Sequence, residues 1–309
     1  MKRISHLERR LVGQVLRTEF RSSKSIGMLA RAEGAFAELT GTKHAIGCVN
    51  GTATLHIALE ALRIGAGDEV IVPALTMSAT CFSVLHANAT PVFADVDPET
   101  WQISAESVAS LITPRTKAIM TVALYGGAPD YTALTQVAGD IPLIEDNAEA
   151  IGTVFRNKPI GTIGSFSSYS FQSSKHLSSG EGGMLCTNDD ELAERARLVQ
   201  TLGYGAVRNS STRKIPKSVI QDPGYLRHES LGWNYRMPEL IAAVVLAQTR
   251  RSPSLLAKRM QAAQQLLDVM AAVPWLRPQR EYPSVTSSYW SVGASLERTD
   301  ISWKDFAAK

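Results

Sequence analysis

From about residue 45 the chain alternates short apolar runs with longer amphipathic ones. DEVIVPAL reads as a strand and TMSATCFSVLHAN as a helix, then ATPVFADV as a strand and SAESVASLI as a helix. TKAIMTVAL, DYTALTQVAG and IPLIEDN continue the pattern as strand, helix and strand. SFSSYSF and GGMLCT follow as strands and DDELAERARLVQTLG as a helix. Strands bounded by turn residues and separated by helices predict a mostly parallel sheet with helices on both faces, an α/β fold. Sheets of this kind collect ligands beyond the carboxyl ends of their strands, so chemistry is sought just after each strand.

The alternation stops at residues 204–233, a polar stretch with two prolines that reads as one long loop. NYRMPELIAAVVLAQTRR then predicts a helix with Pro238 near its start, and SPSLLAKRMQAAQQLLDVMAAV continues helical. SSYWSVGASL reads as a strand. The pattern divides the chain into residues 1–250, an N-terminal helix and a large ligand-binding domain, and residues 251–309, the start of a smaller C-terminal domain.

Composition narrows the class. With 309 residues, 44% apolar and 20% charged, the chain is long enough for one large domain or a large and a small one. A net charge of +3 supplies no general drive toward nucleic acid or a membrane surface. Cys48, Cys81 and Cys186 are odd in number and far apart, which suits a reducing cytoplasm better than a disulfide framework or a metal cluster. The basic opening stretch lacks a signal-peptide apolar core, and no apolar run approaches the ~20 residues that span a bilayer. The expectation is a soluble, cytoplasmic protein.

Four stretches fall where chemistry is expected. In NGTATLHIALEAL, Gly51 and Thr52 open a helix whose free amides and dipole suit a phosphate, although on this stretch alone a plain glycine turn with a threonine cap is the favoured reading. In PLIEDNAEAIG, Asp146 ends an apolar strand, where a buried carboxylate calls for a cation such as a protonated pyridine nitrogen, or serves instead as a helix cap. In SYSFQSSKHLSSGEGG, Ser168 and Ser170 project from one strand face, and Lys175 follows at the strand end before a glycine-rich turn. Such a lysine either forms an imine with an aldehyde or is a solvated loop cation, with His176 a packing residue. In LGWNYRMPEL, Asn234 and Arg236 precede a helix and suit a phosphate or carboxylate, or merely start the helix. Taken together, a phosphate site, a carboxylate for a ring nitrogen and a lysine for an aldehyde match pyridoxal 5′-phosphate (PLP).

NGTATL, VPALTMSAT, PVFADVDPETW, LYGG, IEDNAEAIG, FSSYSFQSSKHLSSGEGGM and GWNYRMPEL occur in this order from about residue 15 onward. The series resembles the DegT/DnrJ/EryC1/StrS sugar aminotransferases, which have the fold type I architecture of aspartate aminotransferase. The resemblance implies that Lys175 carries the Schiff base and shuttles the proton, and that Asp146 pairs with the pyridine nitrogen. Gly51, Thr52 and Ser170 would hold the phosphate, with Ala53 also a cofactor-binding residue, and Asn234 would complete that site from a neighbouring subunit, which implies a homodimer. Gly180, Gly182 and Gly183 would bring backbone close to the shared site.

The chain departs from the family pattern at three points. Met77 stands where an aromatic commonly stacks on the cofactor ring. Glu149 stands where glutamine or histidine is usual. The chain also ends sooner than family members do, after a partial small domain.

The activity implied is transfer of an amino group from glutamate or glutamine to a keto sugar, foremost a nucleotide-linked 4-keto-6-deoxy sugar, with a keto cyclitol as the neighbouring substrate. Arg208, Arg213, Lys214 and Lys217 would meet the diphosphate of a sugar nucleotide. A dehydratase on the same fold and a non-catalytic, cofactor-binding relative are the alternatives.

Overall fold

The computed structural model describes residues 3–21, 25–207 and 216–308. Helices α1 (His6–Leu16) and α2 (Met28–Thr40) lead into β1 (His44–Cys48) and α3 (Gly51–Ala61). The strand–helix alternation then runs through β2 (Glu69–Pro73), α4 (Ser78–His86), β3 (Thr90–Ala94), α5 (Ala105–Leu111), β4 (Thr116–Val122), α6 (Tyr131–Ala138) and β5 (Leu143–Asp146). Two short strands, β6 (Val154–Phe155) and β7 (Lys158–Pro159), precede β8 (Phe166–Ser170), β9 (Gly183–Thr187) and α7 (Asp190–Gln200). The remainder comprises α8 (Lys217–Ile220), α9 (Glu239–Ala271), β10 (Leu276–Pro278), β11 (Val285–Thr286), β12 (Ala294–Leu296) and α10 (Trp303–Ala307). Arg208, Arg213 and Lys214 lie outside the described residues; Lys217 is exposed at the start of α8.

Seven strands form the central sheet in the order β1-β9-β8-β5-β4-β2-β3. From β8 to β3 every pairing is parallel, as the helix-separated runs predict. Strand β9 alone runs against its neighbours, pairing antiparallel with both β8 and β1. It can do so because the segment from β8 to β9 is a loop rather than a crossover helix.

The two-residue period of the strands sorts their side chains into two cores. Val70, Val72, Ala118, Met120, Ile46 and Leu185 face α3, α4 and α7. Ile71 and Ile119, on the opposite face, pack against α5 and α6, while Ala45, Met184 and Cys186 pack against α1, α2 and α9. With both faces covered, the strands read as near-continuous apolar runs, which is the pattern seen in the sequence.

The long helix α9 starts just after Pro238 and continues for 33 residues through Pro253, so that residues 250 and 251 both lie within it. The segment SSYWSVGASL is not one strand. Only Ala294–Leu296 is extended, paired with β10, and residues 287–293 form an irregular strap that returns to the main sheet. Alternating polarity cannot distinguish a strand from such a strap when neighbouring backbone supplies the bonds.

Candidate active site

A cavity of about 540 Å³ opens beyond the carboxyl ends of β4, β5 and β8, with Gly51, Thr52, Asp146, Ser170 and Lys175 on its walls. At one end is the first turn of α3. Asn50 caps this helix by accepting the Ala53 amide at 2.8 Å. The Gly51 and Thr52 amides lie in the first turn, where a helix has no acceptor of its own, and the dipole there favours an anion. The Ala53 amide is occupied by the cap, so Ala53 is a buried support and not a wall of the cavity.

Two close approaches shape this end. A Cβ on Gly51 would lie 3.0 Å from the Ser170 Cβ, and one on Gly183 would lie 2.3 Å from the Asn50 carbonyl oxygen. Period two puts Ser168 and Ser170 on the same face of β8. Ser168 is fully buried and shares a hydrogen bond with Thr54 of α3 at 2.6 Å, whereas Ser170 reaches the cavity.

Asp146 ends β5 and is only 5% exposed. Its carboxylate accepts from Thr80 Oγ1 at 2.9 Å and from the Ala148 amide at 3.2 Å. The Ala148 bond closes a turn two residues on, and AEAIG forms turns rather than a helix. Burial pushes the Asp146 carboxyl up to about 6, against the lowering effect of the Thr80 bond. A carboxylate in this setting is stabilised by a cation beside it, and a pyridinium fits that need.

Lys175 projects from a tight turn after β8. Its amide donates to the Gln172 carbonyl at 3.0 Å, and the Gln172 side chain accepts the Ser174 amide at 2.7 Å. Lys175 Nζ donates to Glu149 Oε1 at 3.0 Å, while Glu149 Oε2 accepts the Tyr125 amide at 3.1 Å. The face of the Trp290 ring lies 4.4 Å from Nζ.

Of the residues singled out from the sequence, Gly51, Thr52, Met77, Asp146, Glu149, Ser170 and Lys175 all line the one cavity. Met77 is 67% exposed at the start of α4. Asn234 is apart: it lies on the exposed segment bridging to Thr201 and does not border this cavity. His176 is buried beside Lys175, its Nε2 donating to the Ser288 carbonyl at 3.1 Å, and burial pushes its pKa down to about 3. Sequence reasoning missed Thr80, the partner of Asp146, and Trp290. Thr80 stands three residues after Met77 within VPALTMSAT, and a threonine one turn into the helix could have been noticed. Trp290 had no local signal, because it reaches the site from more than a hundred residues away.

An open α/β sheet with helices on both faces, a helix N-terminus, a buried strand-end aspartate and a loop lysine together define a fold type I PLP-dependent transferase. The chain belongs to the DegT/DnrJ/EryC1/StrS aminotransferase family, whose profile matches residues 4–305. It is 44% identical over 238 residues to the GDP-perosamine synthase of Caulobacter vibrioides, covering 76% of this chain and 60% of that one. The chain thus spans well under two thirds of that relative's length. The aminotransferase from Psychrobacter cryohalolentis superposes with a TM-score of 0.84 at 35% identity, covering 94% of this chain and 75% of the other. The E. coli GDP-4-keto-6-deoxy-D-mannose-3-dehydratase with bound hydrated PLP superposes with a TM-score of 0.84 at 27% identity, covering 96% of this chain and 77% of that one. PLP is the cofactor of this family, and the residues around the cavity fit it.

Proposed function

We propose that the protein is a PLP-dependent aminotransferase that moves an amino group from glutamate or glutamine to a nucleotide-linked 4-keto-6-deoxy sugar, with a GDP-linked sugar the first to test. The observation that carries the reading is the convergence of the Lys175 amine, the Asp146 carboxylate and the α3 N-terminus on one cavity. The name of the Caulobacter relative supports the choice of a GDP-linked sugar.

When bound, PLP supplies an electron sink that stabilises negative charge on the carbon losing its proton. The amides of Gly51 and Thr52 and the Ser170 hydroxyl would hold its phosphate by hydrogen bonds and dipole. Asp146, fixed by Thr80 and Ala148, would keep the ring nitrogen protonated. Among the described residues Lys175 is the one amine on the cavity wall, and it would take and return the proton at the substrate carbon. Glu149 steers Nζ through their 3.0 Å contact, and Met77, on the cavity wall, would offer its thioether to the ring.

The partner reading is a homodimer with shared sites. Its support is an exposed apolar set, Met77, Phe82, Leu85, Leu231 and Trp233, together with Asn234 on an exposed segment away from this chain's own cavity. The division into a PLP-binding region and a smaller C-terminal region remains a proposal, supported by the separate sheet formed by β10 and β12. The second reading is a dehydratase, favoured by the superposition on the E. coli enzyme. The lysine at 175, with His176 turned away to Ser288, speaks for amino transfer.

Absorbance spectra with PLP test the choice. A visible band that glutamate discharges, and that GDP-4-keto-6-deoxymannose restores with formation of an amino sugar, supports the transaminase. A band with release of a 3-deoxy sugar supports the dehydratase. A band that ignores both substrates overturns both activities.

A further inference from the structure

Lys175 has a cover that comes from distant sequence. The strap at residues 287–293 runs over the segments that follow β4 and β5 and is tied down at several points. Ser288 donates its amide to the Gly126 carbonyl, Ser287 Oγ donates to the same oxygen at 2.8 Å, and Ser288 Oγ shares a 2.8 Å bond with Thr153. His176 holds the Ser288 carbonyl, and Arg259 of α9 donates to the Trp290 carbonyl at 2.8 Å. The Trp290 indole is fixed as well. Its Nε1 donates to the Ser174 carbonyl at 3.0 Å, and the ring stacks on Tyr125 at 6.0 Å with an interplanar angle of 16°.

Two backbone features show how closely the strap is fitted. Tyr125 and Tyr289 both take left-handed φ values, 60° and 50°, which cost free energy in a residue with a side chain. Gly126, at φ 98°, has no room for a Cβ, which would lie 2.5 Å from the Tyr289 nitrogen and 2.7 Å from that of Trp290. The outcome of this arrangement is one aromatic face, 4.4 Å from the lysine nitrogen.

We propose that Trp290 is a positioning residue for Lys175: its indole face covers the ammonium and holds it toward Glu149 and the cavity. The proposal rests on the reading of Lys175 as the cofactor-binding lysine. An ammonium over an indole face is attracted by the ring quadrupole, and the attraction grows when water is excluded. Glu149 and Asp146 attract this nitrogen from the turn after β5 and from the end of β5, and His176, kept neutral by burial, lies beside it. Arg259 bonds the strap at the Trp290 carbonyl, and Arg3 donates to the Lys175 carbonyl. Glu149 supplies the charge and Trp290 the direction, leaving the cavity as the open side.

The test uses two variants. Trp290→Phe keeps an aromatic face, and Trp290→Leu keeps bulk without one. Cofactor-free protein is labelled at pH 8 with trace acetic anhydride, and acetylation of Lys175 is read by mass spectrometry against the exposed Lys258. Loss of the aromatic face should raise Lys175 labelling about three- to tenfold in Trp290→Leu, with Trp290→Phe within about twofold of the native chain. With PLP added, the pH at which the visible band changes should fall in Trp290→Leu and hold in Trp290→Phe. Equal labelling of the native chain and Trp290→Leu overturns the proposal, as does Phe behaving like Leu. Should Trp290→Leu fail to fold, Trp290→Met replaces it, read in the same way. A native chain that forms no visible band with PLP overturns the functional reading instead, and the labelling still decides the role of Trp290.

Discussion

Glu149 and Lys175 face each other across 3.0 Å, with side chains only 12% and 13% exposed. Glu149 is also tied to the backbone, through the Tyr125 amide. The carboxylate therefore has little freedom to follow the lysine if the lysine moves. Removing one member of a nearly buried ion pair leaves a charge without compensation. Glu149→Ala should lower the unfolding free energy of the cofactor-free protein by about 3 kcal/mol. Glu149→Gln keeps one oxygen acceptor but turns the other into an NH2 facing a donor, and should lose about 2 kcal/mol. Urea unfolding measures both, and equal losses would show that charge is irrelevant to the contact.

Asp146 should make cofactor-free stability depend on pH in a defined window. Its folded pKa of about 6 lies above the unfolded value near 3.9. The folded state therefore holds the proton more tightly, so this group's contribution is fully present below about pH 4 and lost as pH rises through about 6. The loss is on the order of 3 kcal/mol. Asp146→Asn should be more stable than the native chain at pH 8 and lose that advantage by pH 4, in denaturation curves across this range. The same variant should bind PLP weakly, because a pyridinium would lose its counter-charge.

Gly183→Ala tests the phosphate end without touching a phosphate. The added methyl would meet the Asn50 carbonyl at 2.3 Å, and backbone must move to admit it. The displaced element is the first turn of α3, so PLP affinity should fall by at least about tenfold, one lost bond's worth of free energy. Fluorescence titration with PLP checks this. Unchanged affinity would mean that the α3 amides do not hold the cofactor.

Glu145, fully buried next to Asp146, accepts the amides of Gly161, Ile163 and Gly164 at 2.6 to 2.9 Å. Burial raises its pKa and these amides oppose the rise. Glu145→Gln turns one acceptor into a donor facing an amide, so the protein should lose about 2 kcal/mol of stability. Thermal unfolding reads the effect, and an unchanged midpoint would show that the loop at 160–164 needs no carboxylate.

The sheet was legible because apolar runs buried on both faces repeat strand after strand, from DEVIVPAL to IPLIEDN. Asp146 and Lys175 were legible for a related reason: each is a charged residue set where an apolar run ends. The reversal of β9 was not, since GGMLCT carries no mark of direction and only the lack of an intervening helix distinguishes it. Ala53 was read as a cofactor-binding residue, whereas Asn50, three residues before it, is a capping side chain that takes its amide. The strap was misread as a strand because its backbone bonds go to Gly126, Tyr125 and Thr153, partners that no local pattern names. Residues whose surroundings are set by their own neighbours can be read from the chain; those set by a segment far away cannot.

The antiparallel placement of β9 has a consequence for the order of assembly. Because β8 and β9 are joined directly, the phosphate end, Asp146 and the lysine loop all come from one continuous stretch, residues 50–183. A chain leaving the ribosome completes this stretch before the strap exists. Trp290 joins the lysine loop only when a bond spanning 116 residues, from its indole to Ser174, is made. The floor of the pocket is thus laid down early and its roof late, which gives a nascent chain an interval in which the lysine stands open to an arriving aldehyde.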